Sequence, residues 1–169
     1  MKSHRSAKTL IILLCLGMLF CAGCANFLKP ETGAVARPEA RIALPEKAVQ
    51  KEAFTAGDVT IVYSLAGVGE QFALSGTLVF AQSLTNSFPN ITKFWLKMSF
   101  LDGEGRVIET IDITPVFGSF GRVPEKLDFR AARVAPPGSK AIAFNYFGEF
   151  RSNSREPGDT WEIFYFPFD

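Results

Sequence analysis

The sequence predicts an all-β fold: one antiparallel β-sandwich of about seven strands and immunoglobulin-like size. Three observations predict it. Short runs rich in β-branched and aromatic residues recur from Phe54 to the carboxyl terminus. Gly, Pro, Asn and Asp separate these runs, and those residues carry turn chemistry. Helical periodicity is absent from the same region.

The elements follow in order. Val59-Thr60-Ile61-Val62-Tyr63 is β-branched and aromatic and reads as a strand. Gly67 and Gly69 mark a turn. In the next run Phe72, Leu74, Leu78 and Phe80 share one face at period two, with Gly76 between them as a candidate bulge. Gln82 to Asn90 is polar and reads as a loop. Phe94, Leu96, Met98 and Phe100 then point one way, and Lys93, Trp95, Lys97 and Ser99 the other. That alternation predicts a half-buried strand with one wet face. Asp102-Gly103-Glu104-Gly105 turns the chain into a hairpin partner from Arg106 to Thr114. Val116 to Pro124 reads as a loop with Phe117 and Phe120 as aromatic plugs. Leu127 to Val134, Ala141 to Phe147 and Trp161 to Phe168 complete the strands. The last run is apolar on both faces, which predicts a central strand or one covered by a partner.

Several of these stretches carry a resemblance. Ser75-Gly76-Thr77-Leu78-Val79, the strand through Phe100, the turn Leu101 to Ile108, and Pro137-Gly138 before Ala141-Ile142-Ala143-Phe144 resemble the FxLYD-type sandwich domains of bacterial envelope proteins. Those domains share an architecture with the water-stress and late-embryogenesis sandwich group. The resemblance covers roughly residues 72–147. It implies a fold and an envelope location, and no catalytic residues.

The amino terminus carries a second resemblance. Lys2, Arg5 and Lys8 precede an apolar run from Thr9 to Phe20, followed by Cys21-Ala22-Gly23-Cys24. The apolar run is too short to span a bilayer, which takes about 20 residues. It fits the apolar region of a secretory signal, with small residues at the cut. The order resembles a bacterial lipoprotein signal, with cleavage before Cys24 and acyl chains on its sulfur and new amino group. Cys21 stands where that pattern usually has Leu. The alternatives are an ordinary secretory signal and an uncleaved anchor running through Ala25. In a two-membrane host, Ala25 after the modified Cys implies the outer membrane, facing the periplasm.

Domain organisation follows: residues 1–23 as signal, 24–53 as lipidated terminus and flexible linker, 54–169 as the sandwich. Pro30, Pro38 and Pro45 interrupt the linker and forbid a continuous helix. As a coil it would reach about 30 Å, and fully extended roughly 85 Å. A short helix at Glu46–Glu52 is the alternative.

Composition excludes much chemistry. All three Cys lie at or before Cys24, and the only His is His4. After cleavage no His remains and the only thiol is the one expected to carry lipid. Structural disulfides, Cys/His zinc sites, Cys–His nucleophiles and Ser–His–Asp triads are therefore excluded from the expected mature domain. Three of the 18 Lys and Arg leave with the signal, so 15 bases face 17 acids, a net charge of −2. No basic footprint for nucleic acid is left. No cofactor is implied. Of 17 Phe, 16 stay to build an apolar core.

Four candidate sites arise. Asp102 and Glu104 carry too few carboxylates for a calcium loop and read as a hairpin turn. Ser139-Lys140 points to opposite faces on a strand, against a Ser–Lys dyad. Glu149, Glu156, Asp159 and Glu162 lie among Arg151 and Arg155. They read as surface ion pairs, with Glu149 and Glu162 as the pair a glycan hydrolase would use. Trp95, flanked by Lys93 and Lys97, is a candidate contact residue on the wet face. The expectation is a lipid-anchored envelope protein that binds or scaffolds an envelope protein partner without catalysis. The rivals are a carboxylate-dependent enzyme on envelope glycans and a lipid carrier with an apolar groove between its sheets.

Overall fold

The computed structural model describes residues 28–45, 49–68, 71–116, 121–154 and 158–169. The signal with Cys24, the plugs Phe117 and Phe120, and Glu156 lie outside the described residues. In chain order the strands are β1 (Ile42–Ala43), β2 (Val49–Ala56), β3 (Val59–Val68), β4 (Gln71–Phe80) and β5 (Asn90–Leu101). They continue as β6 (Val107–Asp112), β7 (Gly121–Arg122), β8 (Leu127–Val134), β9 (Ala141–Arg151) and β10 (Thr160–Tyr165).

Two antiparallel sheets result, as the alternation predicts. The smaller has the order β2-β3-β4-β8. The larger has β9 and β5 at its centre, with β1 and β10 along the free side of β9 and β6 and β7 along that of β5. Period-two side chains from both sheets meet between them. Phe72, Leu74 and Leu78 of β4 face Phe94, Leu96, Met98 and Phe100 of β5, all nearly or fully buried. Rings interlock edge to face across the gap, Phe72 on Phe100 at 5.3 Å and Phe80 on Phe94 at 5.4 Å between centroids, the geometry aromatic quadrupoles favour. Among the described residues, Phe and Tyr rings from both sheets pack in the space between them. Tyr146 is buried in the same core and donates its hydroxyl to the Ala56 carbonyl. Burial pushes its ionisation upward, so it stays a neutral donor.

Gly76 is not a bulge, because β4 pairs with both neighbours without a register shift. Its missing side chain has another use. A Cβ there would lie 2.6 Å from the Phe129 ring of β8, so the ring occupies the space the glycine leaves.

Three further expectations are corrected. The polar stretch after β4 contains a short helix, α1 (Gln82–Ser87), whose Leu84 is buried. The terminal apolar run is not a central strand: its first part is β10, which among the described residues pairs with β9 alone, and Phe168 beyond it bridges Ala36. The residues expected as a flexible linker are docked from Leu28 to Pro45, and β2 begins within the same stretch at Val49. Leu28, Ala36 and Ala40 are buried, and β1 pairs with β9. Proline forbids a continuous helix there but is compatible with extended chain and with the short 3-10 turn Pro38–Ala40, and the small Ala side chains allow close approach without a periodic signature. Among the described residues no helix is long and apolar enough to cross a membrane.

Candidate functional site

The site is built on the outer face of the larger sheet. Alternation on β5 sends Lys93, Trp95, Lys97, Ser99 and Leu101 away from the main core. Alternation on β9 sends Ala143, Asn145, Phe147 and Glu149 the same way. Register then decides which of them meet. Trp95 lies opposite Phe147, and Phe147 opposite Phe164 of β10. The three form a row across adjacent strands, with the Trp95 and Phe147 rings 5.5 Å apart. Trp95 is 41 % exposed and Phe164 71 % exposed.

A charged row runs beside it. Lys93 lies opposite Glu149, and Glu149 opposite Glu162. The Lys93 ammonium donates to Glu149 Oε2 at 2.8 Å. Thr92 sits at a register shift in β5, and this irregularity aims its hydroxyl at Glu149 Oε1, 2.6 Å away. These donors, Lys93 first and then Thr92, hold the Glu149 carboxyl below its usual range. The candidate carboxylates Glu149 and Glu162 are thus brought together, but on an open sheet face, and with Glu149 held ionised.

On the other side of the aromatic row Lys97 lies opposite Asn145. Asn145 is fully buried and donates from Nδ2 to the Leu28 carbonyl at 2.6 Å. Its Oδ1 has no hydrogen-bond partner among the described residues. Beyond this point the face is covered. Ser99, expected on the wet face, is fully buried and shares a hydrogen bond with Thr110 at 2.8 Å. Leu101, Val107 and Ala143 are sealed with Ala36 and Phe168 into a second apolar cluster. The covering segment is pinned from both sides. Gly33 N–H donates to Val107 O, Ala36 N–H to Gly105 O, and Arg37 N–H to Pro167 O, each at 2.8 Å.

The remaining candidates are accounted for locally. Asp102 Oδ1 accepts from the backbone N–H of Glu104 and Arg106 at 2.9 and 2.8 Å. The Arg106 bond, then the one from Glu104, lowers its carboxyl pKa. Gly105 supplies the left-handed backbone the turn needs, at φ +85°. Ser139 donates its hydroxyl to the Pro136 carbonyl at 2.6 Å, which closes the turn. Asp159 accepts from the hydroxyls of Ser152 and Ser154 and ties the last loop. Among the described residues no group of three or more His, Cys, Asp or Glu is placed to hold a metal ion.

Sequence reasoning found Trp95, Lys93 and Lys97 by alternation. It missed Phe147, Phe164 and Asn145, because β9 and β10 read as core strands and only register shows which of their faces lies outward. No family model matches the chain. The search of curated proteins likewise finds no match.

Proposed function

We propose that the chain is a lipid-anchored protein of the bacterial cell envelope whose sandwich acts by binding or scaffolding rather than catalysis. The observation that carries this reading is the order of basic start, apolar run and Cys21-Ala22-Gly23-Cys24. Cleavage before Cys24 and acylation there follow from its resemblance to a lipoprotein signal. Two or more acyl chains, at about 0.8 kcal/mol per buried CH₂, anchor such a protein firmly. In a two-membrane host the domain faces the periplasm from the outer membrane, beside its envelope protein partner.

The site chemistry supports the binding half of the reading. Hydrolysis of a glycoside by two carboxyls takes one kept protonated as the acid. Glu149 is instead held ionised by Lys93 and Thr92. An exposed tryptophan on a flat sheet face is suited to contact, since it combines a large apolar body with a polar N–H.

Intact-mass measurement on protein extracted from bacterial membranes tests the anchor. The expected product lacks residues 1–23 and carries two or three acyl chains on Cys24. Cys24→Ala should give an unprocessed, unacylated chain. A native product that retains its first residues, or starts at Cys24 with a free thiol, overturns the reading.

A further inference from the structure

We propose that the aromatic row is the face on which the domain rests against the bilayer, with Trp95 and Phe164 seated at the headgroup–acyl boundary beside the anchored terminus. This deepens the lipid-anchor reading and rests on it.

Chain length keeps the anchored residue close to this face. Cys24 is four residues before Leu28, and four residues span at most about 14 Å. Leu28 is fixed: its side chain is 5 % exposed and its carbonyl accepts from Asn145 at 2.6 Å. Asn145 and Phe147 are two residues apart on the same face of β9, about 7 Å along the strand. The stretch that would have lifted the domain clear of the membrane is instead folded onto the domain from Leu28 to Pro45. Acyl chains on Cys24 therefore hold the bilayer surface within about 14 Å of the Leu28 backbone, and the aromatic row lies next to that point.

The side chains of this face also suit a bilayer boundary. Trp is enriched where a bilayer meets water, because its ring is apolar and its N–H remains hydrated. Among the described residues, Trp95 and Phe164 are the exposed large apolar side chains on this face. Lys93, paired with Glu149, and Lys97 flank the row, and a stem such as that of Lys97 lies along apolar surface while its ammonium reaches the phosphates. Arg151 and Asp112 lie on the same face, so Lys93, Lys97 and Arg151 stand against Glu149, Glu162 and Asp112 there. A face on which charges of both signs interleave docks chiefly through its aromatic rings, so the contact should not need anionic lipid and should tolerate salt.

The chain has two tryptophans, Trp95 and Trp161, which makes the face readable by fluorescence. Trp161 lies on the opposite side of β10 from Phe164 and stacks on Phe88, with centroids 5.8 Å apart. The experiment uses the full acylated protein in phosphatidylcholine vesicles, with or without bromine on the acyl chains. In Trp161→Phe, Trp95 should shift to the blue and lose most of its emission to bromine. Shallow bromines should quench more than deep ones, matching a depth of about 5–10 Å. In Trp95→Phe, Trp161 should be quenched much less. Added salt should leave both results unchanged.

Acylated protein that floats with vesicles while Trp95 stays unquenched overturns this inference and leaves the anchor reading standing. The same holds if Trp95 is covered by a second copy or by another protein instead of lipid. Protein that carries no acyl chains and does not float overturns both.

Discussion

The two halves of one sheet face end in opposite ways. Strands β5 and β9 run the length of both. At the Leu101 end the face is closed: Leu101, Val107 and Ala143 pack under Ala36 and Phe168, and backbone hydrogen bonds fix the cover. At the Trp95 end the face is open, and Trp95 and Phe164 keep 41 % and 71 % of their surface. Side-chain size accounts for the contrast. Alanines at 36, 141 and 143 let a second layer of backbone come close, whereas rings at 95 and 164 hold anything above them at ring height. The first half is finished by the chain's own segments around Ala36 and Phe168, and the second is presented outward.

The contrast is tested most sharply by removing one ring from each half. Phe168→Ala takes a 7 % exposed ring from the closed half and should cost about 2–4 kcal/mol, since a buried cavity is left. Phe164→Ala removes the exposed ring of the open half and should change stability by no more than about 0.5 kcal/mol. Urea unfolding of the two variants measures both. Equal losses would show that Phe164 is covered in the native protein and that the two halves do not differ.

The border between the halves is Asn145, whose side-chain hydrogen bond to the Leu28 carbonyl marks where the described covering segment begins. Asn145→Ala should cost about 1 kcal/mol for the lost hydrogen bond. Its larger effect should be local. Hydrogen exchange at the Gly33 and Ala36 amides, which bond to Val107 and Gly105, should accelerate while amides of β3 and β4 keep their protection. Uniform acceleration would mean that the covering segment and the main core open as one unit.

Legibility differed between the halves as well. Alternation exposed the main core and the open half, because Phe94 to Phe100 and Lys93 to Ser99 repeat at period two and that period is local to one strand. The sandwich class, the hairpin at Asp102 and the outward Trp95 were therefore readable. The closed half was not. Its cover is built from Ala, Pro and Arg between Leu28 and Pro45, with no period, and its partners Val107 and Phe168 are distant in the chain. Ser99 looked wet for the same reason. The aromatic row was legible only in part, because register joins Trp95 to Phe147 and Phe164 across three strands, and register is a long-range property.

The smallest effect concerns the charged row of the open half. Lys93 and then Thr92 lower the Glu149 pKa below its ordinary value of 4.5. A carboxyl whose folded pKa is depressed adds stability above its unfolded pKa, and that stability is lost as pH falls through the folded value. The difference between the native chain and Glu149→Gln should therefore be constant near neutral pH. It should shrink below about pH 4.5 and vanish once Glu149 is protonated in both states. Because Lys93 is 52 % exposed, screening keeps the gain under about 1 kcal/mol, and added salt should reduce it further. Urea midpoints for both chains from pH 7 down to about 3 supply the curve. A gap that widens toward acid would mean that Glu149 is destabilising when ionised and that Lys93 and Thr92 do not hold it. A gap larger than about 1 kcal/mol and indifferent to salt would mean that this row is shielded from water, which would make the open half a second closed one.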